Sequence, residues 1–125
     1  MTLQEIEKNL GLIKAEIESE VSSGDIQAVQ DKLNRLASLS GLSAELVKET
    51  ESACLYKQKE IIDKSVNTYS ASILKLKISS ELWHELSLKI YAERLNAAIV
   101  HVMDSLRTII SLWKADLQNS QYQTK

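Results

Sequence analysis

No proline occurs anywhere in this chain of 125 residues, and only three glycines do. Proline breaks a helix and glycine loosens it, so a sequence nearly free of both has lost most of its means of turning. Sheet folds need turn residues every few positions, and this chain does not supply them. An all-α fold is what remains. With four Tyr, two Trp and no Phe, Leu and Ile must carry most of the packing. The length is that of a single domain.

The apolar residues repeat at alternating steps of three and four, the spacing of a helical seam. Thr2 and Glu5 make a capping box, and Leu3, Ile6, Leu10, Ile13 and Ile17 follow from it. Ser22-Ser23-Gly24 is expected to stop this helix (2–23), and Asp25 to cap the next. Ile26, Val29, Leu33 and Leu36 continue the pattern to a stop at Ser40-Gly41 (25–40). Ser43 then reads as the cap of a longer helix (43–77) whose seam is Val47, Leu55, Ile62, Val66, Tyr69, Ile73 and Leu76. Ser79-Ser80-Glu81 reads as the break before a fourth helix (80–118). That helix carries Leu88, Tyr91, Leu95, Ala98 or Ile99, Val102, Leu106, Ile109 and Trp113. Residues 119–125 are polar and aperiodic, and read as a flexible tail.

The expected fold is therefore all-α: a long antiparallel helical hairpin, coiled-coil-like, with two short N-terminal helices packed on it in one domain, 1–118. If 77–80 stayed helical, the hairpin would become one rod of about 75 residues. Leu82, Trp83, Leu86, Ile90, Ile110 and Leu112 lie off the narrow seam and need cover. The N-terminal pair covers part of them, and a second copy of the chain is the simplest cover for the rest. A homo-oligomer, a dimer or higher, is expected.

Charge is uneven. Residues 1–54 hold five Lys or Arg against ten acids, and residues 55–125 hold ten against seven. Lys57, Lys59, Lys64, Lys75, Lys77, Lys89 and Arg94 place positive charge towards the expected turn. This is either a solvated face or a surface for a phosphate backbone. Arg94, His101, Asp104, Arg107, Thr108, Ser111 and Lys114 share one side of the fourth helix, as partner contacts or as a solvated stripe.

Signals for chemistry are sparse. Glu81-x-x-His84 has the spacing used in di-iron bundles, but those need a second such motif and further carboxylates. A straight helix offers no pocket for nucleophilic catalysis. No P-loop, dinucleotide turn or zinc spacing occurs. The lone Cys54 reads as a core thiol. The expectation is a protein that is not an enzyme and takes no metal or cofactor. With no basic leader and no run of about 20 apolar residues, a cytoplasmic protein without a membrane role is expected.

From Leu46 onwards the chain resembles small helical phage and prophage proteins encoded beside single-strand annealing recombinases or single-stranded DNA-binding proteins. The resemblance lies in Tyr56-Lys57-Gln58-Lys59, in Ala92-Glu93-Arg94-Leu95-Asn96 and in Leu106-Arg107-Thr108-Ile109-Ile110-Ser111-Leu112-Trp113-Lys114. It covers roughly 70 residues, 46–114, and not the N-terminal pair. It implies an accessory or scaffold role in phage DNA recombination or replication, through a protein partner. The alternatives are direct binding of single-stranded nucleic acid by the basic hairpin, or inhibition of a host protein. The residues implied as contacts are Tyr56, Lys57 and Lys59 in one region, and Arg94, Arg107 and Lys114 in another.

Overall fold

A computed structural model describes residues 1–65 and 67–123, in four α-helices and no strand: α1 Leu3–Glu18, α2 Ile26–Ser65, α3 Ala71–Glu81 and α4 Trp83–Gln123. The capping box is present, with Glu5 N–H to Thr2 Oγ1 and Thr2 N–H to Glu5 Oε2 both at 3.2 Å. Ile6, Leu10 and Ile13 of the first seam are buried. Asp25 caps α2, its carboxylate accepting from Ala28 N–H at 3.1 Å.

The α1 helix ends at Glu18, ahead of the expected stop at Ser22-Ser23-Gly24, because Ser19 turns to extended backbone. Lys32 from α2 holds that end. Its ammonium donates to the carbonyls of Ile17 and Ser19 and is only 5% exposed. The last carbonyls of a helix lack intrahelical partners and carry the negative end of its dipole, so a cation there satisfies both needs.

The expected stop at Ser40-Gly41 does not occur, and α2 runs through it for 40 residues. Ser38 and Ser40 turn their hydroxyls back on the carbonyls of Asn34 and Ala37, inside the same helix. Leu36, Ser43 and Leu46 stay buried on either side of Gly41. Packing of one continuous face thus outweighs the low helix propensity of a single glycine. The expected pair of short N-terminal helices is one short helix, α1, and the first part of α2.

The reversal also lies elsewhere. The Ser79-Ser80-Glu81 break is helical, and the chain turns at 67–70, between α2 and α3. Thr68 and Tyr69 donate to the Ser65 carbonyl, and Ser70 caps α3 by accepting from Ile73 N–H at 3.4 Å. Asn, Thr and Ser compete for backbone hydrogen bonds, so Asn67-Thr68-Tyr69-Ser70 ends a helix without glycine or proline. Only Leu82 separates α3 from α4. The ladder passes through it, with Leu82 N–H to Ile78 O and Leu86 N–H to Leu82 O both at 2.9 Å. The tail expected from 119 is helical through Gln123; residues 124–125, and the expected seam residue Val66, lie outside the described residues.

The long helices α2 and α4 pack antiparallel, and α1 lies in the groove between them. The core joins Ile6, Leu10 and Ile13 to Val29, Leu36 and Leu46 and to Ala92, Leu95, Ile99, Met103 and Leu106. Ser43 Oγ donates to Asn96 Oδ1 across the hairpin at 3.0 Å. Counting outward from that pair, Ile26 falls level with Trp113, so the last ten residues of α4 run about 15 Å beyond α2.

Two substitutions test this account in opposite directions. A methyl group at Gly41 would meet nothing within 4 Å, so Gly41→Ala should stabilise the fold by about 0.5–1 kcal/mol in urea denaturation. Lys32→Met strands two carbonyls at the end of α1 and should cost about 1–3 kcal/mol in the same measurement.

Candidate functional site

Two surfaces of this bundle are unusual for a chain of its size. One surrounds the reversal and the other is the free end of α4. At the reversal, α3 has no buried residue along its eleven, although it carries Ile73, Leu74, Leu76 and Ile78. Leu55, Tyr56, Tyr69, Ile73, Leu76 and Trp83 are all exposed here. The expected seam of Val47, Leu55, Ile62, Tyr69, Ile73 and Leu76 is therefore not the buried face: Val47 and Ile62 are half-buried and the other four are exposed. The inward positions of α2 are Ser43, Leu46, Thr50, Cys54, Ile61 and Ser65. Small residues let two helices approach closely, and Leu55 lies outside that line.

The basic candidates divide. Lys57, Lys64 and Lys77 come together in a cleft between α2 and α3, with Glu60, Ile61, Ser65 and Glu81. Lys64 bonds Glu60 at 2.8 Å, and Lys77 lies 3.8 Å from Glu81 and 4.7 Å from the Tyr69 ring centre. The Lys64 hydrogen bond, with the charges of Lys64 and Lys57, pulls the Glu60 carboxyl below its usual value. The same bond raises Lys64. Tyr56 and Lys59 face another side of α2 with Glu60 and Asp63. Lys75 is exposed on α3.

The remaining four are strung along α4 and join neither group. Lys89 is half-buried, 3.9 Å from Glu93. Arg94 and Lys114 are exposed, and Arg107 bonds Asp104 at 3.1 Å. His101, Thr108 and Ser111 share that exposed side, with the Thr108 hydroxyl bonded to the Asp104 carbonyl. From Lys89 to Lys114 is about 38 Å along the axis.

At the other end, the inner stripe of α4 outlasts its partner. Leu106 is its last buried residue among those whose side chains are described, Ile109 and Ile110 are half-buried, and Leu112, Trp113 and Leu117 are exposed. Trp113, expected inside the hairpin, lies level with the start of α2 and is 41% exposed. Only the starting point of α2 reveals this, and periodicity carries no such signal. Of the other residues expected to need cover, Leu82 is buried, Leu86 and Ile110 are half-buried, and Trp83, Ile90 and Leu112 stay exposed.

Length and composition alone would let α4 cross a membrane. The core helix of a bundle meets the same criterion, and the inner face of α4 packs on α1 and α2. His84 of the Glu-x-x-His spacing lies 2.9 Å from Glu7. Among the described residues, no three His, Cys, Asp or Glu side chains converge as a metal site would require. Glu85 Oε2, on the inner side of α4, is buried without a hydrogen-bond partner among the described residues. Comparison with protein families, curated proteins and solved structures finds no match to this chain.

Cys54 is buried in the hairpin. Burial raises its thiol above the usual value, with Lys89 opposing and Glu85, Glu51 and Glu93 reinforcing the rise. A thiol held protonated and covered is a poor nucleophile. Titration with a thiol-reactive disulfide at neutral pH should label Cys54 slowly in the folded protein, and at the rate of a free cysteine once urea unfolds it.

Proposed function

We propose that this chain is a non-enzymatic helical interaction protein, an accessory or scaffold factor that takes a partner protein on the free end of α4. One observation carries the reading: the stripe that forms the core through Leu106 continues as Trp113 and Leu117, which are both exposed. An amphipathic helix of a partner fits such a stripe as α1 and α2 fit its earlier turns. Arg107 and Lys114 would contribute charged contacts beside it. This end overlaps the Leu106–Lys114 segment that resembles the phage recombination accessories, so a single-strand annealing recombinase or a single-stranded DNA-binding protein from the same genome is the partner to try first.

A second reading, direct binding of single-stranded nucleic acid, is favoured by the convergence of Lys57, Lys64 and Lys77 on one cleft. Glu60 and Glu81 share that cleft and engage two of the three lysines. A phosphate backbone would have to displace those contacts.

Titration calorimetry of each candidate partner, and of a single-stranded oligonucleotide, at low and near-physiological salt tests both readings. The proposal predicts protein binding that changes little with salt and weakens roughly tenfold or more in Leu117→Glu, whose side chain is already exposed. Oligonucleotide binding that falls steeply with salt, with no protein bound, would replace it with the second reading.

A further inference from the structure

The exposed apolar residues at the reversal are ordered. Ile73, Leu76, Trp83 and Ile90 fall on one line along α3 and the start of α4, at steps of three and four when Ser80 and Ser87 are included. This is a second seam, separate from the one that packs on α2; Leu82 interrupts the helix within it, but stays in the αR region and keeps both its own i,i+4 backbone bonds. Leu76 is 71% exposed and Trp83 is 69% exposed. No helix of the same chain covers this line.

We infer that a second copy of the chain covers it, in an antiparallel pairing of the two α3–α4 stripes about a twofold axis near Ser80. Two observations favour this occupant over a different protein. The first is symmetry within the line itself. Reversal about Ser80 places Leu76 against Trp83 of the second copy and Ile73 against Ser87. Each large side chain then meets an apolar or small one, and the two Ser80 residues meet at the axis, where small side chains allow close approach. The Ser80 hydroxyl already bonds the Lys77 carbonyl of its own helix at 3.1 Å, so burying it leaves no donor stranded.

The second is charge. The flanks of the stripe are Ser72, Ser79 and Leu86 on one side and Ser70, Lys77, His84 and Tyr91 on the other. Lys77 is matched by Glu81 and His84 by Glu7, so self-pairing sets no unmatched like charges against each other.

An isologous pairing at this end leaves both free α4 ends open and pointing away from each other. The dimer would then be a bivalent scaffold.

Sedimentation equilibrium of the full chain at micromolar concentration tests the pairing. The expected mass is twice 14.1 kDa. Leu76→Glu and Trp83→Glu should each raise the dimer dissociation constant roughly tenfold or more. Their helical circular dichroism should be unchanged, since both residues are exposed. Leu112→Glu, at the far end of α4, should leave the dimer intact. In a Cys54→Ala background, Ser80→Cys should cross-link on oxidation and Leu76→Cys should not, because only the first lies at the axis. A monomeric wild type, a dimer insensitive to both glutamates, or one broken by Leu112→Glu would overturn the inference. Equal cross-linking at both cysteine positions would also overturn it, since it would mean parallel chains.

Discussion

Everything in this molecule hangs on the contact between α2 and α4, two helices of about 60 Å that would expose their apolar faces alone. An apolar seam fixes that two helices pack, but it fixes their sliding register only loosely, because one turn further along offers similar contacts. The Ser43–Asn96 hydrogen bond breaks that degeneracy. A slip of one turn would break that bond, at a cost of about 0.5–1.5 kcal/mol. Thr50, also buried, takes no part in the register because its hydroxyl bonds the carbonyls of Leu46 and Val47 in its own helix. The polar pair favours one register, and the apolar residues supply the stability.

That register decides which surfaces are left over. With Ser43 opposite Asn96, α4 outruns α2 at one end and α2 meets α3 at the other. The α1 helix is 16 residues long and can cover only the part of the groove where Val29, Leu36 and Leu46 face Leu95 to Leu106. Lys32 anchors it there. The two uncovered regions are consequences of helix lengths and register, and both retain heptad spacing. Large exposed patches of this kind are uncommon on monomers.

Much of this was legible in the sequence. The capping box at Thr2, the cap at Asp25, the α1 seam and, at Leu95, Ile99 and Leu106, the α4 seam follow from spacing; on α4 the buried Ala92 and Met103 stand one residue beyond the expected Tyr91 and Val102, which are half-buried. The α2 helix was not legible in the same way. Its inward positions after Leu36 are largely Ser43, Thr50, Cys54 and Ser65, while Leu55 faces out, so counting apolar residues traced the wrong face. Gly41 looked like a stop because propensity was weighed without the packing that spans it. The true reversal carried its signal in Asn67-Thr68-Tyr69-Ser70, a weaker one than glycine or proline would give. The basic residues were legible as a half-chain excess but not as a patch. Helix geometry gathers Lys57, Lys64 and Lys77 and disperses Lys89, Arg94, Arg107 and Lys114.

The place of the reversal is the claim on which the register, both uncovered surfaces and their uses depend. Spin labels at exposed positions 45, 94 and 112, on a Cys54→Ala background diluted with unlabelled protein, would measure it by pulsed dipolar spectroscopy. A turn at 67–70 sets residue 45 level with 94 and about 27 Å along the axis from 112. The account predicts the 45–94 distance to be the shorter of the two. A shorter 45–112 distance would put the turn at 77–80 and contradict it.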